Sequence, residues 1–284
     1  MSDFDDLVEH KRYRAAALAG IFYPHEEMFV NSVLRSFGLS QNPEVGAACI
    51  FAPHGNWNIL GNSIASAYKS LAGTRDAPGH TVSRVVLLGS IHCTRDEGLF
   101  VSESDYFETP LGNLTVDKYV NEELMSCNTL FELNDIPHLR ENTAEVHFPF
   151  IKFLFPQATF VPLLVGGSKA GTISALASAL RIVFEPVMDE TLFIISSNLS
   201  SHLDPDTSRV QSEEFTSLIN RKDNYGIIQG IHNGRITACG AALAGALLES
   251  GLLDNTDVTR IENSGGSVLD EDEKTIFYAA LNFS

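Results

Sequence analysis

The sequence predicts an α/β fold, a single domain over 1–284 with a central, mostly parallel sheet flanked by helices. Four short runs continuous in Val, Ile, Leu and Phe predict the sheet, because strands covered on both faces lose the apolar–polar alternation of a half-exposed strand. The segments between them carry apolar residues at helical spacing, so strand and helix alternate along the chain. No repeat, low-complexity tract or linker-like stretch divides the 284 residues, a length that suits one large domain.

In chain order, the strands are Val45–Ala52, Arg84–Gly89, Thr159–Val165 and Leu192–Ser197. Helical periodicity is clearest over Glu26–Phe37, Ile64–Leu71, Tyr119–Ser126, Ala144–Phe155, Ile173–Val183, Glu213–Ile219 and Ala241–Leu248. Loops are expected near 73–82, 200–209 and 264–272, where Gly, Pro, Ser and Asp gather.

Net charge is −17, from 36 acidic and 19 basic residues, and no Lys/Arg cluster appears. Such a surface repels nucleic acid and anionic lipid, so neither is an expected partner. No apolar stretch approaches the roughly 18 residues of a transmembrane helix. The acidic start MSDFDDLVEH is unlike a secretory signal. Four cysteines without paired spacing read as reduced thiols, and a cytoplasmic location is expected.

Each predicted strand ends in polar residues suited to a site. They are Pro53-His54-Gly55, Gly89-Ser90-Ile91-His92, Val165-Gly166-Gly167 and Ser196-Ser197-Asn198, the last followed by Ser200, Ser201 and His202. Ligands of open α/β sheets bind beyond the carboxyl ends of strands, so neighbouring parallel strands would bring His54, His92 and His202 to one cleft. Cys239 precedes the small-residue helix in ITACGAALAGALL, where the helix dipole favours a thiolate. Cys49 within a strand and Cys127 at a helix end read as structural, and Cys93 beside His92 reads either way, since a strand would point it to the opposite side.

In PHLRENTAEVHFPF, Glu141 and Glu145 stand four apart and would share a solvated or capping helix face begun by Asn142 or Thr143. His147 is expected to pack near Phe148 and Pro149. Phosphate-loop, dinucleotide, CxxC, HExxH and GxSxG motifs are absent, and GGSKAG at 166–171 lacks phosphate-loop spacing.

Taken in order, AGIFYP, PHGNW, LLGSIH, TPLGNLTVD, ENTAEVHFPF, VPLLVGG, SSNLSSH, ACG and NSGG resemble the Memo family across nearly the whole chain. Its bacterial and archaeal members are also called AmmeMemoRadiSam system protein B. The resemblance implies a fold like that of class III extradiol dioxygenases and a metal pocket of two histidines and a cysteine, which here are His54, His92 and Cys239. It implies iron, with copper or zinc as alternatives. An Asp and a His at the family's SSD-x-x-H strand end correspond to Asn198 and either Ser201 or His202, and a family histidine is replaced by Asn142. An Asn is no general base, so metal binding can persist where acid–base chemistry changes.

Two imidazoles and a thiolate suit a borderline transition metal, and three protein ligands leave a position for substrate. One reading is a metal-dependent oxidoreductase in which His202 relays protons and Asn198 orients the ligand. A second is a recognition protein holding a small molecule or peptide in the same pocket without catalysis. A zinc hydrolase using Glu141 or Glu145 as base is a third.

Overall fold

The four predicted runs become four adjacent parallel strands in the computed structural model, which describes residues 11–71, 81–261 and 264–284. The larger sheet runs Tyr13–Arg14 (β1), Tyr106–Phe107 (β5), Leu114–Val116 (β6), Thr159–Gly166 (β8), Arg84–Ser90 (β3), Thr191–Ser196 (β9), Cys49–Ala52 (β2), Leu281–Phe283 (β14) and Val258–Arg260 (β11). Only β14, of the strands touching these central four along that path, runs antiparallel, against β2. The far half of β8 also pairs antiparallel with Gly98–Val101 (β4), which carries Phe131–Leu133 (β7). A separate three-stranded sheet of Ser200–His202 (β10), Thr275–Tyr278 (β13) and Gly266–Leu269 (β12) stands beside the carboxyl end of β9.

Strand pleating sorts the core into two layers. Val86, Leu88, Phe193, Ile195, Cys49 and Phe51 face one side, against Lys118–Cys127 (α3), Ala170–Phe184 (α6), Pro205–Asn220 (α7), Asn224–His232 (α8) and Ala241–Glu249 (α9). Val85, Leu87, Leu192, Ile194, Ile50 and Ala52 face the other, against Glu27–Ser36 (α1), Trp57–Lys69 (α2) and Phe148–Leu154 (α5). Both faces being covered is why the four runs are apolar throughout.

Several boundaries differ from expectation for identifiable reasons. Val45–Ala48 precede the ladder, with Gly46 donating to Leu71 O at 3.0 Å and Ala48 to Phe283 O at 2.8 Å. The helix expected from Ile64 begins at Trp57, because Asn56 caps it by accepting from Asn58 N at 2.9 Å. The loop expected over 200–209 holds β10 and the start of α7, where Asp204 accepts from Thr207 N at 2.9 Å ahead of Pro205. The loop expected over 264–272 contains β12. Ala144–Phe155 divides into Asn142–Glu145 (α4) and α5, with Pro149 in the first turn of the second. Helix α8 was unexpected; its glycines, Gly226 and Gly230, mute helical periodicity. The acidic start, most of the 73–82 loop and Asn263 of NSGG lie outside the described residues.

Among the described residues one helical stretch, Ala170–Glu190, is by length and composition apolar enough to cross a membrane, contrary to the reading of the bare sequence. Its residues Ile173, Leu176, Leu180 and Phe184 belong to the core beneath the sheet, and the backbone kinks at Val187.

Candidate metal centre

Strand β9 lies between β2 and β3, so the segments leaving β2 and β3 flank its carboxyl end. His54 follows β2 by two residues and His92 follows β3 by two. Their rings face one another with centroids 5.6 Å apart. Gly55, at φ +151°, turns the chain after His54 where a Cβ would meet Leu60 Cδ1 at 2.7 Å.

Each ring is held through Nδ1. His54 Nδ1 is 2.9 Å from Ser196 Oγ, the last residue of β9. His92 Nδ1 is 3.4 Å from Glu141 Oε1, while the other oxygen of that carboxylate accepts from His92 N at 2.6 Å and Cys93 N at 3.1 Å. Glu141 also caps α4 by accepting from Thr143 N at 3.2 Å. Burial would raise the Glu141 pKa, but the bonds and charge of His92 outweigh it and hold the carboxyl at about 2. His92 is raised to about 10, first by Cys239 and then by Glu141, against the opposing effect of burial.

The opposite layer supplies the thiol. Cys239 sits just before α9, whose N-cap is Gly240. Ser90 Oγ donates to Cys239 O at 2.6 Å, Cys239 N donates to Asn198 Oδ1 at 3.0 Å, and Gly240 N donates to Ser197 Oγ at 2.7 Å. The Asn198 backbone N–H lies 3.5 Å from Sγ. Burial raises the thiol pKa, yet the charge and hydrogen bonding of His54, and then His92, pull it well below the ordinary value. Cys239 is therefore the thiol of the site whose surroundings favour the deprotonated form. Cys49 is buried, with burial raising its pKa, and Cys93 is exposed with its thiol directed to Arg140 O at 3.1 Å.

His54, His92, Asn198 and Cys239 line a cavity of about 980 Å³. Its walls include Phe22, Ile59, Ile276 and Tyr278, and Asp270, Glu271 and Asp272 also border it. A recess of about 330 Å³ shares His92 and Cys239 with it and runs toward Ile236 and Leu243.

The structure corrects the placement of His202. Ser201 and its cross-strand neighbour Ile276 line the cavity, whereas His202 is not among the lining residues and its Nδ1 accepts from Asp204 N at 3.0 Å. Alternation along β10 puts successive residues on opposite faces, so the three histidines do not converge. Glu141 and Glu145 do not share a solvated face either, because both are fully buried. Glu145 pairs with the buried Arg14 and accepts from Tyr23 Oη at 2.9 Å, which removes it from the site. His147, expected only to pack, is fully buried and hydrogen-bonded to Ser196 Oγ at 3.1 Å.

A family model described as Memo-like protein matches residues 14–280. The chain belongs to the Memo family. Among similar proteins are MEMO1 family protein TV1383 of Thermoplasma volcanium, 24% identical over 272 residues, and a MEMO1 family protein of Pyrobaculum arsenaticum, 27% identical over 286. The first alignment covers 94% of this chain and 97% of its relative, and the second 96% and 99%. In fold the chain is similar to the crystal structure of uncharacterized protein JW3007 from Escherichia coli K12. The TM-score is 0.52 at 11% identity, covering 83% of this chain and 99% of that one. Within this Memo chain, Asn198 and Ser201 both line the cavity.

The donor set fits a borderline transition metal: with Nδ1 of each ring engaged, Nε2 is left to each histidine, beside a thiol of lowered pKa. Among the described residues no group of three His, Cys, Asp or Glu side chains is arranged to hold an ion.

Proposed function

We propose that the chain is a metal-binding protein with His54, His92 and Cys239 as ligands and iron as the metal, copper or zinc being the alternatives, and that it acts as an oxidoreductase on a ligand held in the cavity. The observation that carries this reading is the pair of histidines fixed through Nδ1, by Ser196 and by Glu141, beside a thiol of lowered pKa. When bound, the metal would supply Lewis acidity and one-electron chemistry at the floor of the cavity. The chain's own residues hold the donors. Glu141 keeps His92 oriented, and Asn198 and Ser90 clamp the backbone of Cys239. His202 has no part in this arrangement.

The cavity also constrains the ligand. Apolar side chains form much of its wall, no Lys or Arg is among the described residues that line it, and carboxylates of Asp270, Glu271 and Asp272 border it. A neutral or cationic small molecule, or a peptide end of that character, suits this field better than an anion.

The test is oxygen consumption by iron-loaded protein with catechol and thiol probes. Metal-dependent consumption that is lost in His92→Ala is expected. Loaded protein that consumes no oxygen with any of these probes would contradict the oxidoreductase reading.

One observation favours a second reading, a recognition protein without catalysis. Near Cys239 the wall presents Asn198, Asn142 and Ser201, none of which transfers a proton as an acid or imidazole does. On this reading Cys239→Ala still binds the partner with unchanged affinity.

A further inference from the structure

The smaller recess, of about 330 Å³, has no part in the arrangement described so far. It lies beyond the ends of β3 and β8 and is bounded by α8 and α9, with Ile91, Val165, Ile231, Ile236, Ala242 and Leu243 in its wall. Ile236 can lie against α8 because Gly230 has no Cβ, which would fall 2.4 Å from Ile236 Cδ1. Gly167 and Ser168, both exposed, stand at its mouth. Other elements set the mouth of the main cavity, where Ile21, Ile59 and Leu269 are exposed. His92, Thr237 and Cys239 line both spaces, so the same side chains are reached by two routes.

Hydrogen-bond accounting shows what the recess can hold. Ser90 Oγ donates to Cys239 O at 2.6 Å. Thr237 Oγ1 donates to Gln211 Oε1 at 2.8 Å and accepts from Ser201 N at 3.0 Å. Among the described residues that line the recess, none is Asp, Glu, Lys or Arg. Beyond His92 and Cys239, the polar groups that remain are the Ser168 hydroxyl at the mouth and the first-turn N–H groups of α9, whose N-cap Gly240 has no side chain to accept them. An occupant finds aliphatic contact and few bonding partners, which suits a small uncharged molecule of low polarity. A cavity of roughly 150 Å³ holds benzene or xenon, so the recess has ample room for a diatomic gas.

We infer that the recess is a separate entry and holding site for a small apolar co-substrate, dioxygen, which reaches His92 and Cys239 without crossing the main cavity. The inference rests on the oxidoreductase reading. A ligand seated in the main cavity covers the approach from that side. The second opening keeps the site reachable once that ligand is bound.

The test reads isoleucine methyl groups, because Ile91, Ile231 and Ile236 line the recess whereas Ile21, Ile59 and Ile276 line the cavity. Full-length, metal-free protein labelled with ¹³C at these methyls is titrated with xenon under pressure, an inert apolar probe. Saturable shifts at Ile91, Ile231 and Ile236 are expected. They should be lost at Ile91 and Ile236 in Ile231→Trp, which fills the recess from a half-buried position on α8, and weakened in Ala242→Leu. Thermal unfolding confirms that each variant is folded. With iron-loaded protein and catechol, Ile231→Trp should raise KM for dioxygen severalfold while kcat at saturating dioxygen and KM for catechol stay unchanged. Xenon shifts confined to Ile21, Ile59 and Ile276, or recess shifts that survive in both filled variants, overturn the assignment. Recess shifts produced by formate and not by xenon also overturn it, in favour of an anion site at the start of α9. An unchanged KM for dioxygen in both filled variants overturns the entry role. Loaded wild-type protein that consumes no oxygen overturns the oxidoreductase reading instead, and the xenon spectra still decide whether the recess takes a small apolar molecule.

Discussion

Glu141 shows how one residue serves structure and site together. Its carboxylate caps α4, receives two backbone N–H groups after β3 and faces the His92 ring. Because its pKa is held at about 2, below the ordinary 4.5, the stability it contributes is complete above about pH 4.5 and is lost as pH falls toward 2. His92 works in the opposite sense. Raised from 6.5 to about 10, it contributes fully below pH 6.5 and loses that contribution as pH rises through 10. Metal-free Glu141→Gln should therefore unfold at lower denaturant, with a flatter dependence of stability on pH at both ends, as measured by urea melts from pH 2 to 10. Equal slopes in variant and wild type would show that the pair is not coupled. Little of this was legible beforehand. Glu141 and Glu145 look equivalent at four-residue spacing, and only the fold sends one to His92 and the other to Arg14.

Among elements, the approach of α9 to the end of β9 sets the position of the thiol. Gly240 is needed there, because a Cβ would fall 2.5 Å from Ser197 Cβ and 3.1 Å from Ser196 O. Gly240→Ala should cost about 1–3 kcal/mol, the usual range for forcing extra volume into a packed region. It should also weaken metal binding, because the clash pushes Cys239 away from Ser197 and Asn198. Thermal unfolding and Zn²⁺ titration check the two effects, and a variant unchanged in both would show that the contact yields freely. The four central strands and helix α9 were legible because they are buried on all sides and so carry continuous apolar runs. Strands β10 and β12 were not, since their short, partly polar segments read as loops. That is also why His202 was misplaced. A residue at the end of a presumed loop can point anywhere, whereas in β10 its side is dictated by Ser201.

Across the whole molecule, the two core layers divide the work of the site. The layer of α1, α2, α4 and α5 carries Glu141 and the buried Tyr68–His147 pair that back the histidines, and the layer of α6 to α9 delivers Cys239. The sheet between them brings His54 and His92 together at strand ends that are far apart in sequence. Sequence pattern sufficed to place His54 and His92 at strand ends and Cys239 ahead of a helix. It did not reveal the buried partners, because a histidine or tyrosine inside an aromatic-rich segment looks like core until its hydrogen bonds are known.

The central claim, that these three side chains bind a metal, is tested most directly by metal content. Mass spectrometry would be run on protein purified without air, chelator or an affinity metal column, with His54→Ala and Cys239→Ala alongside. The account predicts near-stoichiometric iron, or copper or zinc, in the wild-type protein and its loss in both variants. Wild-type protein without metal, or metal retained in both variants, would contradict it.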